Sequence, residues 1–456
     1  MIVTPTRPDV VLIHCHDLGR WLSCYGQTSV PSPNLQRFAE RSVVFERAFA
    51  TAPLCSPARG SLFTGLSPHR HGVMGLAHHA WRYRKGVATL PELLEPLGYD
   101  TSLIGLQHEN VDPAVLGFGE VGGVGFLPRA WPVVEAAESW LAERATQSER
   151  APFLLTVGLW EVHRPWPAED YEHADPAEVE VPAYLPDNEH SREDIAAFYG
   201  SIRQMDAAVG HLLRRVDEIV DPRNTMVVFT TDHGAAFPRA KGTLYDPGTG
   251  VALIVRPPLS WGVPPGPRPD LVSHLDVVPT LLELAGGEPP QDLGLEGVSL
   301  LPLLRGTPAA AGSDDQAILP PGEDERLLFT GKTYHDSYDP MRAVRSERYK
   351  YIRNFVSGPM LRLSQDLEHS PTRRGLGDGH LRPRPEEELY DLCRDPWEQE
   401  NVADDPSYEK VRGALAQRLD RWMSDTCDPL ATGPIGLPPA RSRAFDALPA
   451  LPPVSP

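Results

Sequence analysis

Short uninterrupted apolar runs recur along the chain, and between them apolar positions return every three or four residues. Asp9 to His14 (D-V-V-L-I-H) is the first such run, followed by Thr101 to Gly105, Phe153 to Leu159, Thr225 to Thr230 and Val251 to Val255. Runs this short and this apolar suit buried strands of a parallel sheet. Leu90 to Leu97, Trp131 to Ala145 and Ser191 to Val220 carry the helical period instead. Strands alternating with helices predict an α/β fold, with a mostly parallel sheet covered by helices on both faces.

The residues just beyond the runs are of one chemical kind. The first run leads into Cys15-His16-Asp17, the second into Gln107-His108, the third into His163-Arg164 and the fourth into Asp232-His233. Ligands of open α/β sheets bind beyond the carboxyl ends of the strands. Four strand ends that each deliver metal-type or acid-base side chains point to one shared site. From Gly306 to Glu325 the composition turns to Ala, Gly, Pro and Asp, which reads as a linker. Beyond it, Leu327 to Thr330, Met341 to Val344 and Tyr349 to Asn354 read as short strands, the last half-exposed and antiparallel. Tyr408 to Met423 reads as a closing helix, and the Pro- and Ala-rich stretch from Asp428 as a tail that wraps the surface or is poorly ordered. The expected division is residues 1–310 as a catalytic α/β domain and 326–456 as a smaller α+β subdomain with an antiparallel sheet.

Composition narrows the function classes. The formal net charge of -19 argues against nucleic-acid and anionic-membrane partners. No apolar run is long enough to span a bilayer, and Met1 to Pro8 holds no apolar leader core, so the expected location is cytoplasmic. Five cysteines at irregular spacing, Cys15, Cys24, Cys55, Cys393 and Cys427, do not form a disulfide framework. Cys15 and Cys24 read as small core residues.

The sharpest local signal is Cys55-Ser56-Pro57-Ala58-Arg59-Gly60. Pro57 suits the first turn of a helix with Ser56 as its cap, which places Cys55 at a helix N-terminus where unpaired N–H groups favour an anion. Arg59, four residues on, is within reach of the same spot. The plainer alternative is a buried Cys before a helix with a surface Arg.

Cys-x-Pro-x-Arg, here C-S-P-A-R-G-S-L-F-T-G, resembles the modification motif of the sulfatase family. The resemblance extends to His16-Asp17, to Asp232-His233-Gly234 and to E-L-Y-D-L-C-R-D-P-W-E-Q-E-N-V at Glu388 to Val402. Within the family, Phe198 to Gly210, Phe229 to Thr249 and Tyr334 to Arg345 are most similar to the heparan N-sulfatase (sulfamidase) branch. The resemblance implies an alkaline-phosphatase-like fold and hydrolysis of a sulfate ester or N-sulfate, on a sulfated sugar or a small sulfate ester. It implies that a formylglycine-generating enzyme oxidises Cys55 to formylglycine. One hydroxyl of the hydrated aldehyde would attack sulfur to give a covalent sulfo-enzyme, and the other would expel sulfate. The implied metal ligands are His16, Asp17, the modified Cys55, Asp232 and His233, around one divalent ion, with calcium the family expectation. Arg59 and Lys241 would neutralise or grip the sulfate, His163 would protonate the leaving group, and His108 would act as base or orienter in the second step.

Two departures stand out. Leu106 replaces a lysine usual two residues before the His108 position, and imidazoles at 16 and 233 replace commoner oxygen ligands, which suits manganese or zinc better than calcium. His69, His71, His78 and His79 read equally as pocket lining or loop residues, and Tyr334 to Asp339 as a segment overhanging the site. Arg382 to Glu388 reads as a solvated stretch. A phosphonate or phosphate diester hydrolase of the same fold, and a non-catalytic anion binder, are the alternatives. Oligomeric state is open, with room for a homo-oligomer.

Overall fold

The computed structural model describes residues 7–123, 128–147, 150–288, 290, 293–306 and 317–438. The first six residues, half of the expected linker (307–316) and the tail from 439 lie outside the described residues.

The first sheet has nine strands: β1 (Asp9–Cys15), β2 (Val43–Phe49), β3 (Asp100–Gly105), β4 (Glu120–Gly122), β5 (Phe153–Gly158), β6 (Thr225–Thr231), β7 (Gly250–Val251), β8 (Leu253–Arg256) and β9 (Gly266–Ser273). Their order is β4-β3-β5-β1-β6-β8-β2-β7, with β9 added to β2. From β4 to β6 every pairing is parallel. The sheet is covered on both faces, as the continuous apolar runs require. Val11, Ile13 and Cys15 of β1 face one core with helices Ala130–Ala145 and Glu189–Ile219, while Val10 and Leu12 face the other with helices Cys55–Thr64 and Val277–Leu284. The 31-residue helix Glu189–Ile219 is started by Asn188, whose side chain accepts from the Ser191 N–H.

Several elements differ from the sequence reading. The run at 251–255 breaks at Ala252, whose N–H goes to the Gly19 carbonyl, and β8 pairs antiparallel with both β6 and β2. β2 and β9 went unread. Glu46 and Arg47 interrupt the apolar pattern of β2. Pro267 and Pro269 make β9 look like a loop, and they are accommodated because β9 is an edge strand paired, among the described residues, with β2 alone.

The second sheet is antiparallel: β10 (Leu328–Tyr334), β11 (Tyr338–Arg345), β12 (Tyr349–Asn354) and β13 (Glu387–Asp391), in that order. Helix Glu409–Asp425 lays Val411, Leu415, Leu419 and Met423 on Val344, Tyr349, Tyr351 and Leu389. β12 is therefore not half-exposed. Its other face meets the first sheet's loops, where Ile352 packs with Leu244 and Tyr245, and the Lys350 ammonium donates to the Leu244 carbonyl. Arg382–Glu388 is not a solvated stretch either. Arg384 is buried and donates to Asp339, and Glu388, in β13, accepts from the hydroxyls of Tyr245 and Tyr390. Charges are tolerated inside when each finds partners. The sheets are also joined through the Gly331 N–H to Thr51 O bond (2.8 Å). The described part of the tail wraps back, with Asp428 bound to Arg342 and the Tyr334 hydroxyl donating to the Ile435 carbonyl. Among the described residues no helix is long and apolar enough to cross a membrane.

Candidate active site

The adjacent parallel strands β3, β5, β1 and β6 end on the same side, and each delivers a side chain just past its last residue. His16 and Asp17 follow β1, His108 follows β3, His163 follows β5, and Asp232 and His233 follow β6. Asp17 and His108 sit at positive φ (52° and 78°), a costly conformation for such residues that turns both side chains off their strand axes. The backbone at Gly234 must pass close to the chain after Lys241: a Cβ there would stand 1.9 Å from the Pro247 carbonyl oxygen.

Cys55 is the first residue of helix Cys55–Thr64, with Leu54 at the cap position. Ser56 does not cap the helix; its hydroxyl accepts from the Ala77 N–H. His16, Asp17, Cys55, Asp232 and His233 are all buried, and one ligand atom from each lies within 4.8 Å of all the others. Cys55 Sγ is 3.4 Å from His233 Nε2. His233 Nε2 is also 3.1 Å from Asp17 Oδ1, and His16 Nδ1 stands 2.9 Å from Asp17 Oδ1 and 3.2 Å from Asp232 Oδ2. Asp232 Oδ1 accepts from the N–H groups of Asp17 and His233, which ties the two strand ends together.

The electrostatics of this cluster fit a cation. Burial alone would lower His16, yet Asp232, Cys55 and Asp17 carry it up to about 9. Burial also opposes a charge on His233, but Asp232 and Asp17 hold its pKa well above the ordinary value. Protons on imidazoles thus serve as counter-ions to two carboxylates, a task a divalent ion would take over while releasing those protons. Among the described residues Asp232 Oδ2 accepts no hydrogen bond, although the charges of Arg59 and His16 stand 3.1 and 3.2 Å away. His233 Nδ1 stands 2.9 Å from the Gly234 carbonyl, so the ring's N–H is spent there and Nε2 is left as a ligand atom. The donors are a mixed set of carboxylate oxygens and imidazole nitrogens.

The other sequence-predicted residues surround this cluster in different roles. Arg59 is fully buried behind it rather than open to a ligand. Its guanidinium contacts His14 Nδ1 (2.5 Å), Cys15 O (3.1 Å) and Asp232 Oδ2 (3.1 Å). Lys241 Nζ donates to Asp17 Oδ2 (2.7 Å) and lies 3.4 Å from His163 Nε2. Burial and the Lys241 charge lower His163 to about 4, so its ring is neutral, and Nδ1 donates to the Arg164 carbonyl (2.5 Å). Burial raises the Cys55 thiol, but His16, Lys241 and His108 overrule it and hold it well below the usual thiol range. His78 stacks on His108 (ring centroids 6.1 Å, planes 14° apart) and so belongs to the site's rim. His69 and His71 do not line it. His69 packs edge-on against Trp422 and pairs with Thr426, while His71 lies under the cysteine helix beside the Pro57 carbonyl (3.1 Å). In the Tyr334 to Asp339 segment, Asp339 is buried against Lys332 and Arg384, and Asp336 accepts from the Gln365 N–H. Leu106 is buried and leaves its position without a charge.

Two residues escaped the sequence reading. Asp366 Oδ2 accepts from Lys241 Nζ at 2.8 Å, although 125 residues separate them, and no local pattern marks that aspartate. Glu109 is buried next to His108, and desolvation lifts its carboxyl to about 8 despite the nearby Arg59.

This geometry accompanies a clear kinship. A family profile described as Sulfatase matches residues 8–287. The chain belongs to the sulfatase family. Human N-sulphoglucosamine sulphohydrolase is 30% identical over 94% of this chain and 93% of its own length. An ulvan-active sulfatase of Formosa agariphila is 29% identical over 96% of this chain and 85% of its own. Among solved structures, the phosphonate monoester hydrolase of Agrobacterium radiobacter superposes with a TM-score of 0.69 at 21% identity, covering 92% of this chain and 96% of that one. A structure in complex with its substrate D-glucosamine-2-N,6-O-disulfate superposes at 0.70 with 18% identity, covering 93% and 99%. At such identities these two establish the shared fold: a mixed, mostly parallel sulfatase sheet with a separate four-stranded antiparallel sheet. Sulfatase-family chemistry is metal-dependent, and the five-residue cluster is where the described residues of this chain could hold the ion.

Proposed function

We propose that this protein hydrolyses a sulfate ester or N-sulfate, on a carbohydrate, with formylglycine made from Cys55 as its nucleophile. The observation that carries the reading is the placement of Cys55 at a helix start with its sulfur inside the same 4.8 Å cluster as Asp17, Asp232 and His233. Relatives named as sulphohydrolase and sulfatase along nearly the whole chain support it. A divalent cation held by Asp17, Asp232, His233 and His16 would offset sulfate charge, and the two imidazoles favour manganese or zinc over calcium. Formylglycine, installed by a maturation enzyme, supplies an aldehyde hydrate in place of a thiol.

The chain's own residues do the rest. Arg59 acts through Asp232, adding a third positive charge, besides His16 and His233, beside a buried carboxylate. Lys241 brings an ammonium to the cluster, close enough to meet a sulfate oxygen beside Asp17. His163 presents Nε2, and an anion arriving beside it raises its proton affinity, so the protonated donor forms with substrate bound. His108 lies against Cys55 and is placed to take a proton there.

The test uses protein co-expressed with a formylglycine-generating enzyme. Turnover of 4-nitrophenyl sulfate is expected to exceed that of bis(4-nitrophenyl) phosphate, and Cys55→Ala to abolish it. Preference for the phosphodiester would overturn the sulfatase reading in favour of a phosphonate or phosphate diester hydrolase.

A further inference from the structure

Beside the site lies a cavity of about 840 Å³, and Asp366 belongs to both. One carboxylate oxygen of Asp366 holds Lys241, and the ligand atoms of Asp17, His163 and Asp366 lie within 4.8 Å of one another. Its other oxygen accepts from the Ser364 hydroxyl, and the Gln365 N–H is fixed by Asp336, so the segment that delivers it is anchored at two points. The Asp366 side chain keeps 21% of its surface exposed. The cavity continues from there between the loop after His163 and helix Glu189–Ile219.

The charges on its wall are unbalanced. Arg164 is the one Arg or Lys among the described residues that line it, and it is already spent. Both of its terminal nitrogens donate to Asp194, each at 2.7 Å. Asp194 is further satisfied by the Thr372 hydroxyl. That leaves the carboxylates of Asp366 and Glu193 and the imidazoles of His173, which stands 2.9 Å from the Trp166 carbonyl, and His369, with Trp166 and four prolines supplying apolar wall. Among the described lining residues, a second sulfate or a uronate carboxylate entering here would meet no free Arg or Lys, and it would stand beside the carboxylate of Glu193 and that of Asp366, which is paired on its inner side with Lys241. A neutral sugar face or an amine would meet acceptors and apolar surface.

We propose that Asp366 is a specificity-determining residue: with the cavity it lines, it selects monosulfated substrates whose leaving group is neutral or carries an amine, and rejects those with a second anionic group. This rests on the sulfatase reading and adds to it which sulfated molecules are turned over. Asp366 also positions Lys241, so its substitution changes the rate on every substrate. The diagnostic quantity is therefore a ratio.

The probes are 4-carbamoylphenyl sulfate and 4-carboxyphenyl sulfate, nearly isosteric and differing by one charge. At low salt the mature enzyme is expected to favour the carbamoyl probe about tenfold in kcat/KM, the effect of one like charge roughly 6 Å away at intermediate dielectric. Asp366→Asn is expected to bring the ratio to within about threefold, and added salt to shrink it in the wild type. Glu193→Gln, on the exposed side of its helix, is expected to lower the ratio without touching Lys241, which keeps the proposal open to test if Asp366→Asn fails to fold. Calorimetric titration of Cys55→Ala protein with both probes reads the same preference without turnover. Binding preference without turnover in the wild type would count against the sulfatase reading alone. Equal handling of the two probes, or a ratio unmoved by Asp366→Asn, would overturn the role of Asp366, and a ratio unmoved by Glu193→Gln would remove the cavity from the selection.

Discussion

At position 59 a guanidinium is enclosed on all sides, and that changes what the residue is for. Its three contacts, to His14, Cys15 O and Asp232, need a planar fork with several donors. A lysine keeps the charge but serves only part of that geometry. Arg59→Lys is therefore expected to fold and to lose activity on the order of 10- to 100-fold, the usual loss when a partner behind a ligand is removed. Metal affinity measured in parallel should fall with it. If both remain at the wild-type level, Arg59 does not act through Asp232. The residue types at the site were legible in the sequence, because Cys55, Arg59 and the doublets at 16–17 and 232–233 each carry a local signature. Roles depending on which way a side chain points were not. Arg59 was expected to face the anion and lies behind the ligands instead. Asp366 and Glu109 carry no signature, since their significance comes only from chain segments meeting in space.

The helix Cys55–Thr64 shows the same division at the scale of an element. Its start was readable from Pro57; its end, at Gly65 with a positive φ of 68°, was not read. Its support was not readable, because it comes from side chains outside the helix: Ser56 holds Ala77, and His71 sits beneath it against the Pro57 carbonyl. Burial lowers His71 to about 3. The folded state therefore leaves this imidazole neutral where the unfolded chain, with an ordinary value near 6.5, would bind a proton. The stability it contributes is complete above pH 6.5 and is lost as pH falls toward 3, at roughly 1.4 kcal/mol per pH unit for one such group. Urea unfolding between pH 7 and 4 should show this slope, and His71→Gln should flatten it. An unchanged slope would mean that His71 is solvated or protonated in the folded protein. Strands were readable where apolar runs are continuous, as in β1, β5 and β6, and unreadable where charge or proline interrupts them, as in β2 and β9.

Across the whole molecule, the second sheet braces the loop that carries Lys241. Lys350 of β12 bonds Asp246 and Glu398 (2.9 Å), Arg345 of β11 bonds Asp246 (3.0 Å), and all four are withdrawn from water except for part of the Asp246 side chain. Removing one member of a buried ionic cluster leaves the others uncompensated. Asp246→Ala is expected to cost about 3–5 kcal/mol in chemical denaturation. It should also lower turnover, because the loop from Lys241 to Thr249 loses its anchor. A loss below 1 kcal/mol would show that the two sheets are joined elsewhere. The long helix, the parallel order of the central strands and a following antiparallel sheet arise from alternating patterns and were legible in the sequence. The contact surface between the sheets mixes an apolar cluster with charged residues such as Lys350, Arg384 and Glu388, which in sequence look like solvated surface.

The chemistry of the whole site depends on what residue 55 becomes. Protein produced with graded levels of a formylglycine-generating enzyme allows the converted fraction of the Cys55 peptide to be measured by mass spectrometry alongside turnover of 4-nitrophenyl sulfate. Turnover is predicted to rise in proportion to the fraction in which sulfur has been replaced by oxygen, and to vanish where Cys55 is intact. Full turnover from unconverted protein, or none from fully converted protein supplied with a divalent metal, would contradict a formylglycine mechanism at this site.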